Sequence, residues 1–442
     1  MNYKLTESQQ SALEKIRKRF EDPNRKQLFK LYGSAGTGKS FLINVIVTDV
    51  LAEQLDISEI AFCAPTGKAA SVILQRFSYD NVSTIHRLIY HIDVVKKPVE
   101  YDENDLPIKF REEIRFFKKS ELEDIKLIVV DEFSMVSPEL LSDLMSYKLP
   151  IIALGDPYQL PPVNGQHINA NDCDAILTEI VRQHEDNQII RIANDIKNGG
   201  ILRYGNYNNQ VIVLDKRQLS NKEYFDLLLG ADQIICGLNR TKDRINSEIR
   251  KVKGMRSILP QIGDKLICKL NNYGIEFDKY TLTNGIIGTC TDYMKLNNGV
   301  SMLSFEPDFY ILPIENLICD NGIFEHNEYY YPLRQQVYNM GFCEYVPKRS
   351  FTRAEKKNPN YKKLAKEEYR NKLNALSIET LNRFEYAYAI SCHASQGSEF
   401  DTVVVIDESF AFPDSKKERL YTALTRAKEK VIILRYKDIN TY

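Results

Sequence analysis

The chain has 442 residues, of which 43% are hydrophobic and 27% are charged, and its formal net charge at pH 7 is −1. This length exceeds one ordinary core, so we expect roughly two to four domains of an intracellular globular protein. The sequence contains no run of eighteen apolar residues, and its first ten residues lack a signal-peptide core, so neither a membrane span nor secretion is expected. The balanced charge excludes a globally basic nucleic-acid binder, so any nucleic-acid contact must rest on local patches.

The first elements in the chain surround a glycine-rich motif. Residues 5–20 are predicted to form a helix that Thr6 caps, and residues 27–32 are predicted to form a buried strand. The next residues, 33–40, fit G-x-x-x-x-G-K-[ST] and precede an apolar helical face. Such glycines let backbone N–H groups point at phosphate oxygens. Nucleotide binding is therefore predicted for Gly33, Ser34, Ala35, Gly36, Thr37, Gly38, Lys39 and Ser40.

Two acidic residues that follow a later strand complete a hydrolytic set. In the phosphate loop, Lys39 places an ammonium on the β- and γ-phosphates and the Ser40 hydroxyl completes a Mg²⁺ shell. The apolar strand 126–130 delivers Asp131 and Glu132 at its C-terminal end. Asp131 is predicted to hold Mg²⁺ with Ser40, and Glu132 is predicted to polarise the attacking water.

The α/β rhythm continues with one interruption. A strand over 59–64 ends in Pro65-Thr66-Gly67-Lys68 and is followed by a helix, whereas residues 90–119 carry mixed charge and two prolines and read as a small insertion. The strand 149–154 then leads into the run Gly155–Pro162. In that run Gln159 is a candidate sensor that bonds the γ-phosphate and relays its loss.

The second half repeats the α/β pattern around a different segment. An α/β unit over 181–255 contains a strand at 233–236, and short strands with Gly and Asn turns over 256–313 predict a small β-barrel. Residues 334–372 carry eleven lysines and arginines against four glutamates and are interleaved with aromatics, which is typical of a nucleic-acid patch or of a solvated surface helix. Residues 383–442 return to α/β. An arginine of this second half, Arg426 or Arg182, is expected to stabilise charge on the transferred phosphoryl group.

In this order the motifs resemble the superfamily 1 helicases, in particular the RecD-like branch and its Dda-type phage members. The resemblance spans nearly the whole chain and is weak only in the insertions 90–119 and 256–375. The matching motifs are Leu5–Gln9, the phosphate loop, Ala64–Ala70, Ser83–His86, Asp131-Glu132, Gly155–Pro162, Leu177–Arg182, Asn239–Arg250, the Gln396-Gly397 region and Tyr421–Arg426.

The resemblance implies roles for individual residues. Gln9 would read the adenine edge and favour ATP, Glu399 would contact the ribose, and Gln159 would sense the γ-phosphate. Arg182 and Arg426 would supply positive charge. The family's single-strand contacts fall on Pro65, Thr66, Thr84, His86, Arg240 and His393, where backbone amides and stacking can replace positive charge.

The resemblance also implies the architecture, which is two RecA-like α/β P-loop domains with parallel sheets. The first comprises 1–89 and 120–180 and carries the insertion 90–119, which would hold a strand-separating pin. The second comprises 181–255 and 376–442 and carries the insertion 256–375, an SH3-like β-barrel with a helical, basic extension. Closure of the two domains on ATP would assemble the site.

The leading hypothesis is an ATP- and Mg²⁺-dependent motor that moves 5′→3′ on single-stranded DNA and unwinds duplex DNA. Its partners would be single-stranded DNA, duplex junctions and proteins of replication, recombination or repair, and a monomer in a bacterial cytoplasm, phage-encoded or not, is expected. An RNA helicase and an ATP-switched binding protein that does not unwind remain alternatives. The pair Asp131-Glu132 and the two arginines argue against the switch, because a switch needs no complete hydrolytic set.

Overall fold

The computed structural model describes residues 5–22, 24–77, 79, 81–101, 107–161, 169–181, 187–277, 280–296, 300–310, 314–320 and 382–435. They belong to two compact units. The first unit combines Met1–Tyr90, Lys119–Asn239 and Ile390–Tyr442, and the second combines His91–Lys118 and Arg240–Ala389. Among the described residues, no helix is both long and apolar enough to cross a membrane. Arg182 and the cationic segment 334–372, for which contacts were predicted, lie outside the described residues.

The described residues form nine α-helices and twenty-one strands. The helices are α1 (Glu7–Glu21), α2 (Lys39–Val45), α3 (Gly67–Phe77), α4 (Ile85–Ile89), α5 (Pro138–Met145), α6 (Gln188–Lys197), α7 (Asn221–Leu229), α8 (Asn239–Val252) and α9 (Lys416–Leu424). The strands are β1 (Leu28–Gly33), β2 (Ile60–Ala64), β3 (Val82–Thr84), β4 (Tyr90–Tyr101), β5 (Pro107–Lys118), β6 (Leu127–Val130), β7 (Ile151–Gly155), β8 (Ala175–Leu177), β9 (Gly205–Tyr207), β10 (Val211–Asp215), β11 (Gln233–Cys236), β12 (Lys265–Cys268), β13 (Asn272–Phe277), β14 (Tyr280–Leu282), β15 (Ile287–Lys295), β16 (Val300–Pro307), β17 (Ile314–Asp320), β18 (Phe384–Tyr386), β19 (Ala389–Ser391), β20 (Phe400–Asp407) and β21 (Ala427–Arg435).

The first unit contains a six-stranded sheet in the order β3-β2-β6-β7-β1-β8, and its neighbouring strands pair in parallel. Strands β2, β6 and β7 are buried along their whole length, which accounts for their continuous apolar sequences. Helices α1, α2 and α3 contribute apolar side chains to one face of this sheet, including Ile16, Leu42 and Ile73. The parallel α/β architecture predicted for this part of the chain is confirmed.

Helix α1 begins as its sequence predicts. The Thr6 side chain accepts a hydrogen bond from the Gln9 backbone N–H, and the Gln9 side chain accepts one from the Thr6 N–H. This reciprocal capping box satisfies two N–H groups that the first helical turn leaves without partners.

The helix after the phosphate loop differs from the prediction. The apolar pattern indicates one continuous helix, but α2 ends at Val45 and a π-helical turn spans Ile46–Val50. The turn is closed by a hydrogen bond from the Leu51 N–H to the Ile46 carbonyl. This stretch is rich in β-branched residues, which are weak α-helix formers. The wider turn still buries Ile46, Val47 and Val50.

A second six-stranded sheet has the order β19-β11-β20-β21-β10-β9. Strands β11, β20, β21 and β10 pair in parallel, and β9 joins the edge antiparallel. The predicted strand 233–236 is present with the same bounds. Helices α6 and α9 pack against each other beside this sheet.

The second unit is dominated by antiparallel strands. Strands β17-β16-β15-β12-β18 form a five-stranded sheet around a core that contains Leu266, Phe305 and Phe384. Strands β13 and β14 form a separate pair, and so do β4 and β5. The insertion predicted at 90–119 is therefore a two-stranded sheet, and the short strands predicted after residue 256 are present.

Candidate nucleotide and nucleic-acid site

The phosphate loop connects the end of β1 to the start of α2. Gly36 and Gly38 have φ angles of 80° and 78°, a left-handed conformation that residues with side chains rarely adopt. A β-carbon on Gly33 would lie 2.5 Å from the Oγ1 atom of Thr37. The loop conformation therefore requires glycine at all three positions.

Lys39 is the first residue of α2, and its side chain folds back over the loop. Its Nζ donates to the carbonyl oxygens of Gly33, at 2.6 Å, and Ser34, at 3.2 Å. The Thr37 hydroxyl donates to the same Ser34 carbonyl at 2.8 Å. An ammonium group has three N–H donors, so these two bonds leave one donor for a phosphate oxygen. The loop thus holds a cation at the place where phosphate would bind.

Three parallel strands bring the candidate catalytic residues to one edge of the first sheet. Strand β7 lies between β1 and β6. The phosphate loop follows β1, Asp131 and Glu132 follow β6, and the run that begins at Gly155 follows β7. The C-terminal ends of parallel strands meet at the same edge of a sheet, where ligands of open α/β sheets bind.

The carboxyl groups of Asp131 and Glu132 have raised pKa values. Burial is the largest cause for both, and the neighbouring Asp131 also contributes to the shift of Glu132, whose pKa rises to about 7. The Glu132 N–H donates to the Asp131 carboxylate at 2.8 Å, and this hydrogen bond lowers the pKa of Asp131 against the effect of burial. The positive charges of Arg426 and Lys39 lower the pKa of Glu132 in the same way. A carboxyl group with a pKa near the working pH suits a general base.

The backbone of Glu132 is strained. Its φ angle is 51°, in the left-handed region that non-glycine residues seldom occupy. Such a conformation costs on the order of 1–3 kcal/mol and persists only where the surrounding structure enforces it. In the structure, the end of β6 and the short 3₁₀ turn Phe133–Met135 enclose this residue.

Gln159 lies in the loop after β7 and is only 6% exposed. Its side-chain Oε1 accepts no hydrogen bond from any residue that the structure describes. The backbone of the next residue, Leu160, is held on both sides: its N–H donates to Thr422 Oγ1 at 3.0 Å, and its carbonyl accepts from Gln396 Nε2 at 2.8 Å. A buried acceptor without a partner is costly, so this position favours a ligand or water that supplies a donor.

Arg426 follows α9 and is only 5% exposed. Its guanidinium donates to the carbonyls of Thr422, at 3.1 Å, and Ser398, at 3.3 Å, and to the Thr425 hydroxyl at 3.3 Å. Its charge lowers the pKa of Glu132, against the larger effect of burial. The structure therefore brings a residue of the second sheet close to the carboxylates and the lysine of the first.

The two side chains expected to contact the nucleoside lie beside the phosphate loop. Gln9 is 2% exposed, and its Nε2 donates to the Thr37 carbonyl at 3.0 Å while its Oε1 accepts from Thr6. An amide has two N–H donors and two lone pairs, so one of each remains for a base edge. Glu399 is exposed and forms a 2.8 Å ion pair with Arg76.

The candidate single-strand contacts fall in two sets. Pro65 and Thr66 follow β2 and Thr84 ends the adjacent parallel strand β3, so these three residues share an edge with the start of α4, which carries His86. Both threonines also cap helices, since their hydroxyls accept from the N–H groups of Ala69 and Arg87 respectively.

The remaining nucleic-acid candidates lie elsewhere. His393 begins a 3₁₀ turn after β19, and Arg240 lies on α8 in the second unit. Burial lowers the pKa of both His86 and His393, and Arg419 adds to the shift of His393. Both imidazoles are therefore neutral at pH 7 and are suited to stacking or hydrogen bonding rather than to ionic contacts.

Two family profiles match separate parts of the chain. The AAA domain profile matches residues 19–165, and the UvrD-like helicase C-terminal domain profile matches residues 386–434. The first range contains the phosphate loop and the acidic pair, and the second contains Glu399 and Arg426.

Curated relatives are similar over almost the whole chain. The RecD subunit of the RecBCD enzyme from Buchnera aphidicola (subsp. Schizaphis graminum) is 24% identical over 92% of this chain and 70% of its own length. The ATP-dependent RecD2 DNA helicase of Deinococcus radiodurans is 25% identical over 96% of this chain and 48% of its own length. The chain thus spans about half of the second relative.

Among solved structures, a Bacteroides Pif1 helicase in complex with ADP-AlF3 and single-stranded DNA has a similar fold. It superposes with a TM-score of 0.51 at 18% sequence identity, over 99% of this chain and 94% of that one. In sequence the chain is similar to the RecD and RecD2 DNA helicases, and its fold is similar to that of a Pif1 helicase. The resemblance inferred from its motifs is confirmed, and so is a P-loop helicase fold.

Two residues of this site were missed by the sequence reasoning. Arg76, at the end of α3, donates to the Ser40 hydroxyl at 3.2 Å and to Glu399. The Tyr421 hydroxyl accepts from the Ala35 N–H and donates to Asp156. Tyr421 opens a motif that was quoted for Arg426, so its position was a signal that went unused. No sequence signal distinguished Arg76 from other basic residues at helix ends.

Proposed function

We propose that this chain is an ATP-dependent DNA helicase that translocates on single-stranded DNA and separates duplex DNA. The observation that carries the proposal is the meeting of groups from two sheets around Glu132. Lys39 comes from the phosphate loop of the first sheet, Arg426 follows α9 beside the second sheet, and both cations lower the pKa of that carboxyl. The similarity to an ATP-dependent DNA helicase and to a Pif1 helicase bound to single-stranded DNA supports the same function.

The chemistry of the donors fits a nucleotide with Mg²⁺. Ser40 and Asp131 provide hydroxyl and carboxylate oxygens, the ligand types that Mg²⁺ prefers. Arg76 donates to Ser40 and its charge lowers the pKa of Asp131 against burial, so both oxygens lie near the same guanidinium. When bound, the ion would neutralise negative charge on the phosphates.

The protein's own groups divide the remaining work. The backbone amides of the phosphate loop and the ammonium of Lys39 bind the phosphates. Glu132 orients the attacking water and accepts its proton. Arg426 stabilises the charge on the transferred phosphoryl group. Gln159 is proposed to bond the γ-phosphate and relay its loss, and its buried Oε1, which has no partner among the described residues, supports a contact with a ligand or water there. Arg182 is proposed to add positive charge.

The finer architecture is part of the proposal. The antiparallel sheet of the second unit supports an SH3-like barrel within 256–375, and strands β4 and β5 support a strand-separating pin within 90–119. We also propose that the protein moves 5′→3′ and contacts the single strand through the six candidate residues. We propose further that it acts as a monomer, together with replication, recombination or repair proteins, in a bacterial or phage-infected cytoplasm. The domain bounds 1–89 with 120–180, and 181–255 with 376–442, remain predictions.

One experiment tests activity, polarity and substrate together. Duplexes that bear a 5′ or a 3′ single-stranded tail are offered in DNA and RNA versions, with ATP and Mg²⁺. We expect unwinding of the DNA duplex with the 5′ tail. Unwinding of the RNA duplex alone would support the RNA helicase, and tail binding with no unwinding and no ATP hydrolysis would support the nucleotide-switched binding protein.

Replacing Gln9 with alanine should reduce the preference for ATP over GTP. The amide that lies against the phosphate loop would no longer offer a donor and an acceptor to adenine, so we expect the ratio of kcat/KM for ATP to that for GTP to fall about tenfold or more. Steady-state hydrolysis of both nucleotides measures this ratio. It is insensitive to a general disturbance of the loop, which would affect both nucleotides.

The neighbouring exposed residue Gln10 provides the control for Gln9. Gln10→Ala removes the same amide one position further along α1 and should leave the ratio at the wild-type value. An unchanged ratio in Gln9→Ala would remove Gln9 from base recognition and leave it the helix-capping role that the structure shows.

A further inference from the structure

Tyr421 connects α9 to two loops of the first sheet. Its side chain is 1% exposed. Its hydroxyl lies 2.7 Å from the Ala35 backbone nitrogen, within the phosphate loop, and 2.7 Å from Oδ2 of Asp156, in the loop after β7. A buried phenol therefore touches both the proposed phosphate-binding loop and the loop that carries the proposed sensor, Gln159.

The chemistry of the neighbours determines the direction of both hydrogen bonds. An ionised carboxylate only accepts and a backbone N–H only donates, so the phenol donates to Asp156 and accepts from Ala35. Burial and the charge of Asp156 raise the pKa of Tyr421 well above its ordinary value, so the phenol keeps its proton. The other oxygen of Asp156 accepts from the Tyr158 N–H at 3.0 Å. The hydroxyl of Tyr421 thus has two defined partners, and each carboxylate oxygen of Asp156 has one.

The hydrogen bonds of Arg426 do not by themselves fix its position relative to the first sheet. The hydrogen bonds of its guanidinium go to Thr422, Ser398 and Thr425, all from the C-terminal stretch of the chain. These bonds hold the arginine on its own sheet but do not set its distance from Glu132. The hydrogen bonds that cross to the first sheet nearby come from the hydroxyls of Tyr421 and Thr422, on the helix that precedes Arg426, and from the side chain of Gln396.

We propose that Tyr421 is a positioning residue that holds α9, and with it Arg426, in register with the phosphate loop for phosphoryl transfer. The inference rests on the proposed ATP hydrolysis and on the proposed role of Arg426. Tyr421 itself touches neither the water nor the phosphoryl group in this account. Its contribution is geometric, because a misplaced charge stabilises a transition state much less than a preorganised one.

The first variant is Tyr421→Phe, which deletes the hydroxyl and retains the ring. With saturating single-stranded DNA, kcat for ATP hydrolysis should fall by about 10–100-fold, whereas KM for ATP should change by less than about threefold, as expected when an interaction acts in the transition state. The matched control is Tyr386→Phe. Tyr386 is a buried phenol of the second unit that donates to the Ile258 carbonyl at 2.6 Å, and its loss should leave kcat within about twofold of wild type.

A double-mutant cycle separates positioning from a structural role. If Tyr421 acts through Arg426, Tyr421→Phe should lower kcat no further than about twofold in an Arg426→Ala background. Effects that multiply in the double variant would overturn the proposal, because general loosening of the fold would act whether or not the arginine is present.

A second variant, Asp156→Asn, breaks the same contact from its other side, so the proposal can be tested even if Tyr421→Phe does not fold. Thermal unfolding shows whether each variant is folded. Asparagine has one carbonyl oxygen, which cannot serve both the Tyr421 hydroxyl and the Tyr158 N–H as the carboxylate does. We expect a similar loss of kcat and the same lack of additivity with Arg426→Ala.

The outcomes distinguish this proposal from the proposed function. If the wild-type protein hydrolyses ATP and both folded variants have the same kcat, only the role of Tyr421 is overturned. A wild-type protein without DNA-stimulated ATP hydrolysis overturns both.

Discussion

Replacing Lys39 with alanine should lower kcat for ATP hydrolysis by about 10³-fold or more, since the ammonium is the preorganised positive charge of the phosphate loop. The structure holds this group against the Gly33 and Ser34 carbonyls, with one donor left for phosphate. Affinity for single-stranded DNA should stay largely intact, because the proposed contacts lie at other positions. Steady-state hydrolysis and fluorescence anisotropy with a labelled single strand measure the two effects separately.

Lys30→Ala is the matched control for Lys39→Ala. Lys30 lies on β1, a few residues before the loop, and its ammonium pairs with Asp172. The variant removes a lysine charge from the strand that precedes the loop and should retain wild-type turnover, since partly exposed ion pairs contribute little. Wild-type turnover in Lys39→Ala would exclude the phosphate loop as the site of hydrolysis, and a loss in both variants would point to a general effect of charge.

The second large effect is expected for Glu132→Gln. The amide keeps the shape of the side chain but cannot accept a proton from water, so kcat should fall by about 10²–10⁴-fold, the range of general-base contributions. Nucleotide affinity should change by less than about threefold, because the phosphate loop is untouched. Single-turnover hydrolysis and equilibrium binding of a non-hydrolysable ATP analogue measure the two quantities.

Stability provides an independent check on Glu132→Gln. Burial and the nearby Asp131 raise the pKa of Glu132, so its ionised form is unfavourable in the folded protein. A neutral amide should therefore leave Tm at pH 8 equal to or above that of the wild type.

Glu139→Gln, at the exposed first turn of α5, makes the same change outside the site and should retain activity. An active Glu132→Gln enzyme would assign the general base to another residue.

The sequence predicted local features well wherever one short stretch determines the outcome. The strand 233–236 and the capped helix after Thr6 are present as predicted, because burial patterns and caps depend on near neighbours. The glycines of the phosphate loop follow the same logic, since left-handed φ angles are local constraints. The apolar helical face predicted after the loop is present, but it includes a π-helical turn at Ile46–Val50, which the apolar pattern does not distinguish from an α-turn.

The sequence by itself determined which chemical groups this protein carries and the order of its strands, loops and helices, since these follow from residue type and spacing. Only the tertiary structure decided which of those groups meet. Tyr421 bonds a loop amide 386 positions away, and Arg76 pairs with Glu399 over 323 positions. Such contacts arise when two separately formed sheets pack, so they depend on the register between distant segments, which residue spacing does not encode.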